Sequence, residues 1–300
     1  MADAVADRRI GLDRLLRQLK SNDWVSRALD GIGVQPEDAW VPPKLEINPS
    51  GTGGPCALDI QFGMLGHRTP IAPKNRRRMD NGTMAHRRWS EYFEQTNLLV
   101  VASKRLKQAG VWSGEIDVIV KSPATGSFHV GEIKTTNSNS FGRLPRQVAD
   151  LDAMALAMAG HNKAYLFQLA QYVVKFKQAY SALSDEAFFL FENTDDQDYR
   201  VLWLRIGANL KRDAFLNGEL ARQATIDGRV IERPFAKGSS TCKRCYRRKV
   251  CDDYHAGIGD VVQRVEEAMF KAGQLPPPST VWTEGFDRDQ SDEFDEEIAW

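Results

Sequence analysis

Apolar and polar residues alternate most clearly in the middle of the chain. Leu98–Ser103, Glu115–Lys121 and Ser127–Lys134 read as strands, and the last two flank Pro123-Ala124-Thr125-Gly126, a good turn sequence. Helices are expected over residues 8–20, from Gly82 to Thr96, over Gln147–Ala159, Ala164–Tyr180 and Ala208–Gln223, and around Val261–Ala272. Phe188–Glu192 and Tyr199–Ile206 read as two further strands. Residues 40–82, rich in Pro, Gly and Arg, read as irregular, and the polar stretch Thr135–Arg146 as a mobile loop.

The 300 residues, 42% of them hydrophobic, can bury a sizeable core, which excludes global disorder. No run approaches the ~18 apolar residues of a membrane span. The N-terminal stretch lacks the continuous apolar segment of a secretory signal. The expectation is a soluble, cytoplasmic protein with no membrane partner. Four cysteines do not suggest a disulfide scaffold in a chain of this length. Cys242, Cys245 and Cys251 fall within ten residues, which points to metal instead.

A formal net charge of zero hides an asymmetry. Residues 283–300 hold eight acids and one base, a net of −7, so the first 282 residues carry +7. The basic charge clusters at Lys74, Arg76, Arg77, Arg78, Arg87 and Arg88, and again at Lys243, Arg244, Arg247, Arg248 and Lys249. Either cluster alone reads as solvated surface; two together favour a polyanionic partner such as nucleic acid. Pro276-Pro277-Pro278 reads as a stiff linker, and the acidic tail after it has too little apolar content to fold alone.

The stretch Gly114-Glu115-Ile116-Asp117-Val118-Ile119-Val120, the turn, and Val130-Gly131-Glu132-Ile133-Lys134 form a candidate antiparallel hairpin. A symmetric four-residue loop places Asp117 opposite Glu132, with Cβ atoms ~5 Å apart. Carboxylates that close repel and raise a pKa unless a cation separates them. Alternation puts Glu132 and Lys134 on the face that Asp117 reaches, and Ile116, Val118 and Val120 on an apolar face. Two acids and a lysine suit a hard cation such as Mg²⁺, with the lysine orienting water or offsetting phosphate charge. The alternative is a salt-bridge ladder on an exposed sheet face.

Asp117 followed by Glu132-Ile133-Lys134 resembles the core of the PD-(D/E)XK nucleases. Gly82-Thr83-Met84-Ala85-His86 resembles the upstream G-x-x-x-H motif of the RecB/Cas4 branch of that superfamily. Gln168-Leu169-Ala170-Gln171-Tyr172 resembles its Q-x-x-x-Y motif. Cys242-x2-Cys245-x5-Cys251, with the lone upstream Cys56, resembles the four-cysteine pattern of its iron–sulfur members. These matches run in family order over most of the chain. The acid before the turn lacks the preceding proline of the superfamily's name.

On a helix Gly82 and His86 share a face, so the glycine leaves space beside the ring. His86 is either a metal ligand or a core histidine continuing the stripe of Trp89 and Phe93. Gln168, Tyr172 and Lys175 share one helical face, opposite the core stripe of Leu166, Leu169, Val173 and Phe176; they suit a nucleotide, or are an ordinary wet face. Basic neighbours should lower the thiol pKa values of the cysteine segment. Spacing alone leaves zinc and iron–sulfur open.

The resemblance implies an α/β restriction-endonuclease-like core, with a mixed central sheet flanked by helices and two arms joined by an iron–sulfur cluster. Expected domains are an N-terminal arm over 1–80 carrying Cys56, a nuclease core over 81–235, a cysteine segment and C-terminal helix over 236–275, and a linker with a disordered acidic tail over 276–300. The implied function is Mg²⁺- or Mn²⁺-dependent DNA hydrolysis, as an exonuclease on single-stranded or free ends. His86, Asp117, Glu132 and the Ile133 carbonyl would hold metal, and Lys134 would activate water. Cys56, Cys242, Cys245 and Cys251 would hold a 4Fe-4S cluster. Gln168, Tyr172, Lys175, Arg76, Arg77, Arg78, Arg87, Arg88, Arg247 and Arg248 would contact DNA. The rival class is an end-binding or adaptor subunit that does not cleave. The acidic tail could cover the basic body or dock on a protein partner.

Overall fold

A computed structural model describes residues 39–285 apart from Gly53; the helix expected over 8–20 and the tail from 286 onward lie outside the described residues. In chain order the elements are β1 (Ala39–Trp40), α1 (Pro49–Thr52), α2 (Ala57–Met64), β2 (His67–Arg68), α3 (Pro73–Gln95), β3 (Leu99–Gln108), β4 (Trp112–Lys121), β5 (Phe128–Thr136), α4 (Ser138–Gly142), α5 (Leu151–Ala179), β6 (Glu186–Asn193), β7 (Tyr199–Arg205), α6 (Ala208–Asp213), α7 (Leu216–Ile226), α8 (Ser240–Lys243), α9 (Arg248–His255), α10 (Gly259–Gly273) and β8 (Trp282–Gly285). None of the described helices is long and apolar enough to cross a membrane.

The fold is α/β, with one six-stranded sheet in the order β7-β6-β5-β4-β3-β8 flanked by helices; β1 and β2 form a separate two-stranded sheet. β5 and β6 are parallel and the other neighbours antiparallel, so the sheet is mixed. The parallel pair needs a crossover, which α4 and α5 supply. α5 follows the Asp150 N-cap, whose carboxylate accepts the Asp152 and Ala153 N–H groups. It breaks at Asn162, whose φ of −151° is non-helical and whose side chain caps the second limb at Tyr165 N–H. The two helices read from the pattern are therefore two limbs of one element.

Two apolar clusters sandwich the sheet. The larger joins α5, α2 and α7 to Trp112, Ile116, Ile119 and Val130. The smaller holds Val118, Val120, Ile133, Phe188 and Leu190 beneath Trp89 and Phe93 of α3. Ile116 thus parts company with Val118 and Val120, against the single apolar face expected. Beside this change of face on β4, Ser103 of β3, between the Ala102–Val118 and Lys104–Ile116 pairs, has a left-handed φ of 49°.

Other expectations also change. The 80/81 boundary falls inside α3, and the 39–72 segment belongs to the main body, because Ile47 bridges Trp112 and α2 joins the large cluster. The stretch Thr135–Arg146 contains α4, capped by Asn137 and pinned by buried Phe141 and Leu144. The single helix over Ala208–Gln223 is two, α6 and α7. Trp282–Gly285, expected in a disordered tail, is strand β8 on the edge of β3. Trp282 there packs against Trp112, and Glu284 pairs with Lys104 at 2.8 Å, so tertiary contacts supply what local composition lacks.

Candidate active site

β4 and β5 pair in the register that the turn dictates, with Val118 facing Gly131 and Ile119 facing Val130. The ladder stops there. One position further, the Asp117 carboxylate replaces a backbone acceptor: Oδ2 accepts the Ile133 N–H at 2.7 Å. Its Oδ1 lies 3.2 Å from His86 Nδ1. An extended residue points its N–H and C=O the same way, so the Ile133 carbonyl also faces this gap. His86 arrives on α3, from the face opposite α5. A Cβ at Gly82 would meet Thr135 Oγ1 at 3.8 Å, an ordinary contact, so that glycine does not make room for the ring.

Glu132 is 1% exposed, which excludes the exposed salt-bridge ladder. Its Oε1 accepts from Lys134 Nζ at 2.5 Å, while its Oε2 is buried with no hydrogen-bond partner. Lys134 also donates to Gln168 Oε1 at 3.1 Å and lies 5.0 Å from the centre of the Tyr165 ring. Gln168 Nε2 donates to the Tyr172 hydroxyl at 3.2 Å. Gly114 lets Tyr172 approach, because a Cβ there would lie 2.9 Å from the tyrosine ring. Gln168 and Tyr172 are therefore buried parts of the carboxylate group and not a wet helix face. Tyr165 was missed in the sequence, although it stands one turn before Gln168.

The electrostatics follow from burial and proximity. Burial, then the Asp117 charge, push the Glu132 carboxyl up to about 7. Burial pulls His86 down, but the hydrogen bond and charge of Asp117 carry it above its ordinary value. Burial likewise opposes the Lys134 charge, and Glu132 and Asp117 outweigh it, so Lys134 stays protonated. Tyr172 is pushed well above the usual phenol range, by burial first and Glu132 second.

The other expected residues divide. Lys175 stands apart, with its ammonium over the rings of Phe215 and Trp282. Arg76, Arg77, Arg78 and Arg87 lie on exposed turns of α3. Arg88 instead bonds the buried Glu192 at 2.5 Å, beside Trp89 Nε1, which donates to the other carboxylate oxygen. Arg247 is half-buried against Asp59, at 3.3 Å, and Arg248 pairs with Asp252. Arg247 ties the cysteine segment to α2, whereas the Arg248–Asp252 pair lies within α9.

Cys56, Cys242, Cys245 and Cys251 line one cavity of about 30 Å³, with Asp59, Arg233 and Phe62. The fold thus brings Cys56 to a segment far away in sequence. Three of these thiols shift opposite to the expected acidification. Burial raises Cys56 and Cys251, and burial followed by the Asp59 charge pushes Cys245 up to about 12. The neighbouring bases are committed elsewhere, Arg248 to Asp252 and Lys249 to Asp253. Among the described residues no three His, Cys, Asp or Glu side chains meet closely enough to hold one metal ion. In the carboxylate group, both Asp117 oxygens and one Glu132 oxygen already have protein partners.

No family model matches the chain. No curated protein matches it either. A solved structure, described only as that of SSO0001, is similar at 14% identity with a TM-score of 0.41, over 69% of this chain and 85% of that one.

Proposed function

We propose that the chain is a metal-dependent DNA nuclease of the PD-(D/E)XK superfamily, in its RecB/Cas4 branch, acting as an exonuclease on single-stranded ends. The observation that carries this reading is Glu132: a fully buried carboxylate, beside a second carboxylate, with one oxygen lacking any partner. A buried polar atom without a partner costs about 1–3 kcal/mol, a cost that a ligand there would remove. Two carboxylates, an imidazole and a backbone carbonyl also suit a hard divalent ion.

Mg²⁺ or Mn²⁺ would be held by Asp117, Glu132, His86 and the Ile133 carbonyl once these side chains turn from their protein partners to the ion, and would supply Lewis acidity toward phosphate and a more acidic water. The chain's own residues do the positioning. Lys134, fixed between Glu132 and Gln168, presents a permanent positive charge to an attacking water or a phosphate oxygen. Tyr172 holds the far end of the Gln168 amide, which fixes the lysine in turn. The exposed arginines of α3 give a strand an electrostatic path toward His86. The four cysteines around one cavity support a 4Fe-4S cluster that ties residues near 56 to those near 245.

Linear single-stranded DNA, linear duplex and closed circles, incubated with Mg²⁺ or Mn²⁺, test the reading. Loss of linear single strands, abolished by EDTA and by Asp117→Asn, is expected. End binding with no cleavage in either metal would overturn it in favour of a non-cleaving end-recognition subunit.

A further inference from the structure

A second polar cavity lies on the other side of Arg247 from the cysteines. It measures about 200 Å³, and Lys44, Arg68, Arg247, Glu46, Asn48 and Ser50 line it. Backbone bonds hold its walls. The Lys44 N–H donates to the Met64 carbonyl of α2, Arg68 sits in β2, and Ile47 bridges Trp112. The rim is therefore built by backbone contacts and by Arg247, which bonds the His67 carbonyl and Asp59, and the Lys44 and Arg68 side chains are not needed to assemble it.

Charge around this cavity is unbalanced. Glu46 is engaged by Lys107 at 3.1 Å and by the Gly110 N–H at 3.2 Å, and Arg247 by Asp59. Lys44 and Arg68 have no ion-pair partner among the described residues. Although Lys44 is open to solvent, partial burial and then the Arg68 charge hold its pKa below the ordinary value. Glu46 attracts Lys44 across the cavity, yet two cations without an ion pair among the described residues, beside polar Asn48 and Ser50 side chains, are complementary to a small, doubly charged oxyanion.

We infer that this cavity binds a phosphate group, separate from any phosphate being cleaved. The separation is geometric: Ile47 pairs with Trp112, five residues along β4 from Asp117, or roughly 17 Å. The phosphate could belong to a nucleic-acid strand or to a free nucleotide. The cavity argument stands alone; the strand source rests on the nuclease reading above.

The test is calorimetric titration of the full chain with inorganic pyrophosphate, in EDTA and low salt, so that neither divalent metal nor cleavage enters. Saturable binding is expected, weakened at least about tenfold in Lys44→Ala/Arg68→Ala and by added salt. Thermal unfolding checks that the double variant is folded; if it is not, Lys44→Glu alone, which keeps the backbone contacts, must show the loss. Displacement of pyrophosphate by an oligodeoxynucleotide without terminal phosphates identifies a strand, and displacement by a mononucleotide alone identifies a free nucleotide. No pyrophosphate binding up to about 10 mM, or equal affinity in wild type and variants, would overturn the inference. Failure of cleavage with pyrophosphate binding intact would count against the nuclease reading alone.

Discussion

The Ile133 N–H donates to Asp117 Oδ2 at 2.7 Å, one residue past Val118 on β4 and two past Gly131 on β5, the last pair of the ladder. A side chain thereby takes the place of a backbone rung, and the two strands part around a carboxylate. Asp117→Asn keeps an acceptor at this point and removes the charge. It should leave the fold intact and reduce cleavage at least about 100-fold. Asp117→Ala also strips the Ile133 N–H of its partner and should cost a further ~1–3 kcal/mol in denaturant unfolding.

Glu132 gives a pH dependence with a definite sign. Its folded-state pKa, about 7, lies above the ordinary value of 4.5, with burial the first cause and Asp117 the second. The folded protein thus holds this proton more tightly than the unfolded chain does. Stability from this group is complete below the unfolded pKa and is lost as pH rises to about 7. In EDTA, Glu132→Gln should gain on wild type across that window by up to about 1.4 kcal/mol per pH unit, and no further above it. Urea melts of both proteins at intervals of one pH unit check this. A constant difference would contradict it.

The sequence places Arg88 among the expected DNA contacts, yet its guanidinium bonds the buried Glu192. Arg88→Ala should destabilise the protein by about 1–3 kcal/mol, since Trp89 alone then serves a buried carboxylate. Arg77→Ala and Arg78→Ala, on the exposed turns of the same helix, should weaken DNA binding and its salt dependence with less change in stability. Paired unfolding and binding curves separate the two behaviours.

Cys56 reaches the Cys242, Cys245 and Cys251 cavity only through the fold. Cys56→Ala should lower iron content after anaerobic purification and reduce thermal stability by several degrees, because ligation there closes a loop spanning most of the chain. Full iron stoichiometry in this variant would assign the fourth ligand elsewhere. Zinc in place of iron would end the iron–sulfur assignment.

The sequence by itself determined the carboxylate hairpin. Its turn residues and period-two alternation are local, so the Val118–Gly131 register and the nearness of Asp117 to Glu132 could be read directly. The i, i+4 spacing of Gln168 and Tyr172 likewise placed both on one side of a helix. Only the tertiary structure decided which of these groups are buried. Tyr172 and Gln168 face inward because α5 covers the sheet, Arg88 turns inward because Glu192 lies beneath α3, and Trp282–Gly285 becomes a strand because β3 offers an edge. The thiol pKa values belong to the same class: nearby bases in sequence suggested acidic cysteines, but desolvation depends on packing from α2 and on Asp59, nearly two hundred residues away in the chain. Pairings within a turn or a helix are set by backbone geometry over a few residues, whereas burial and charge environment depend on segments that meet only once the chain has folded.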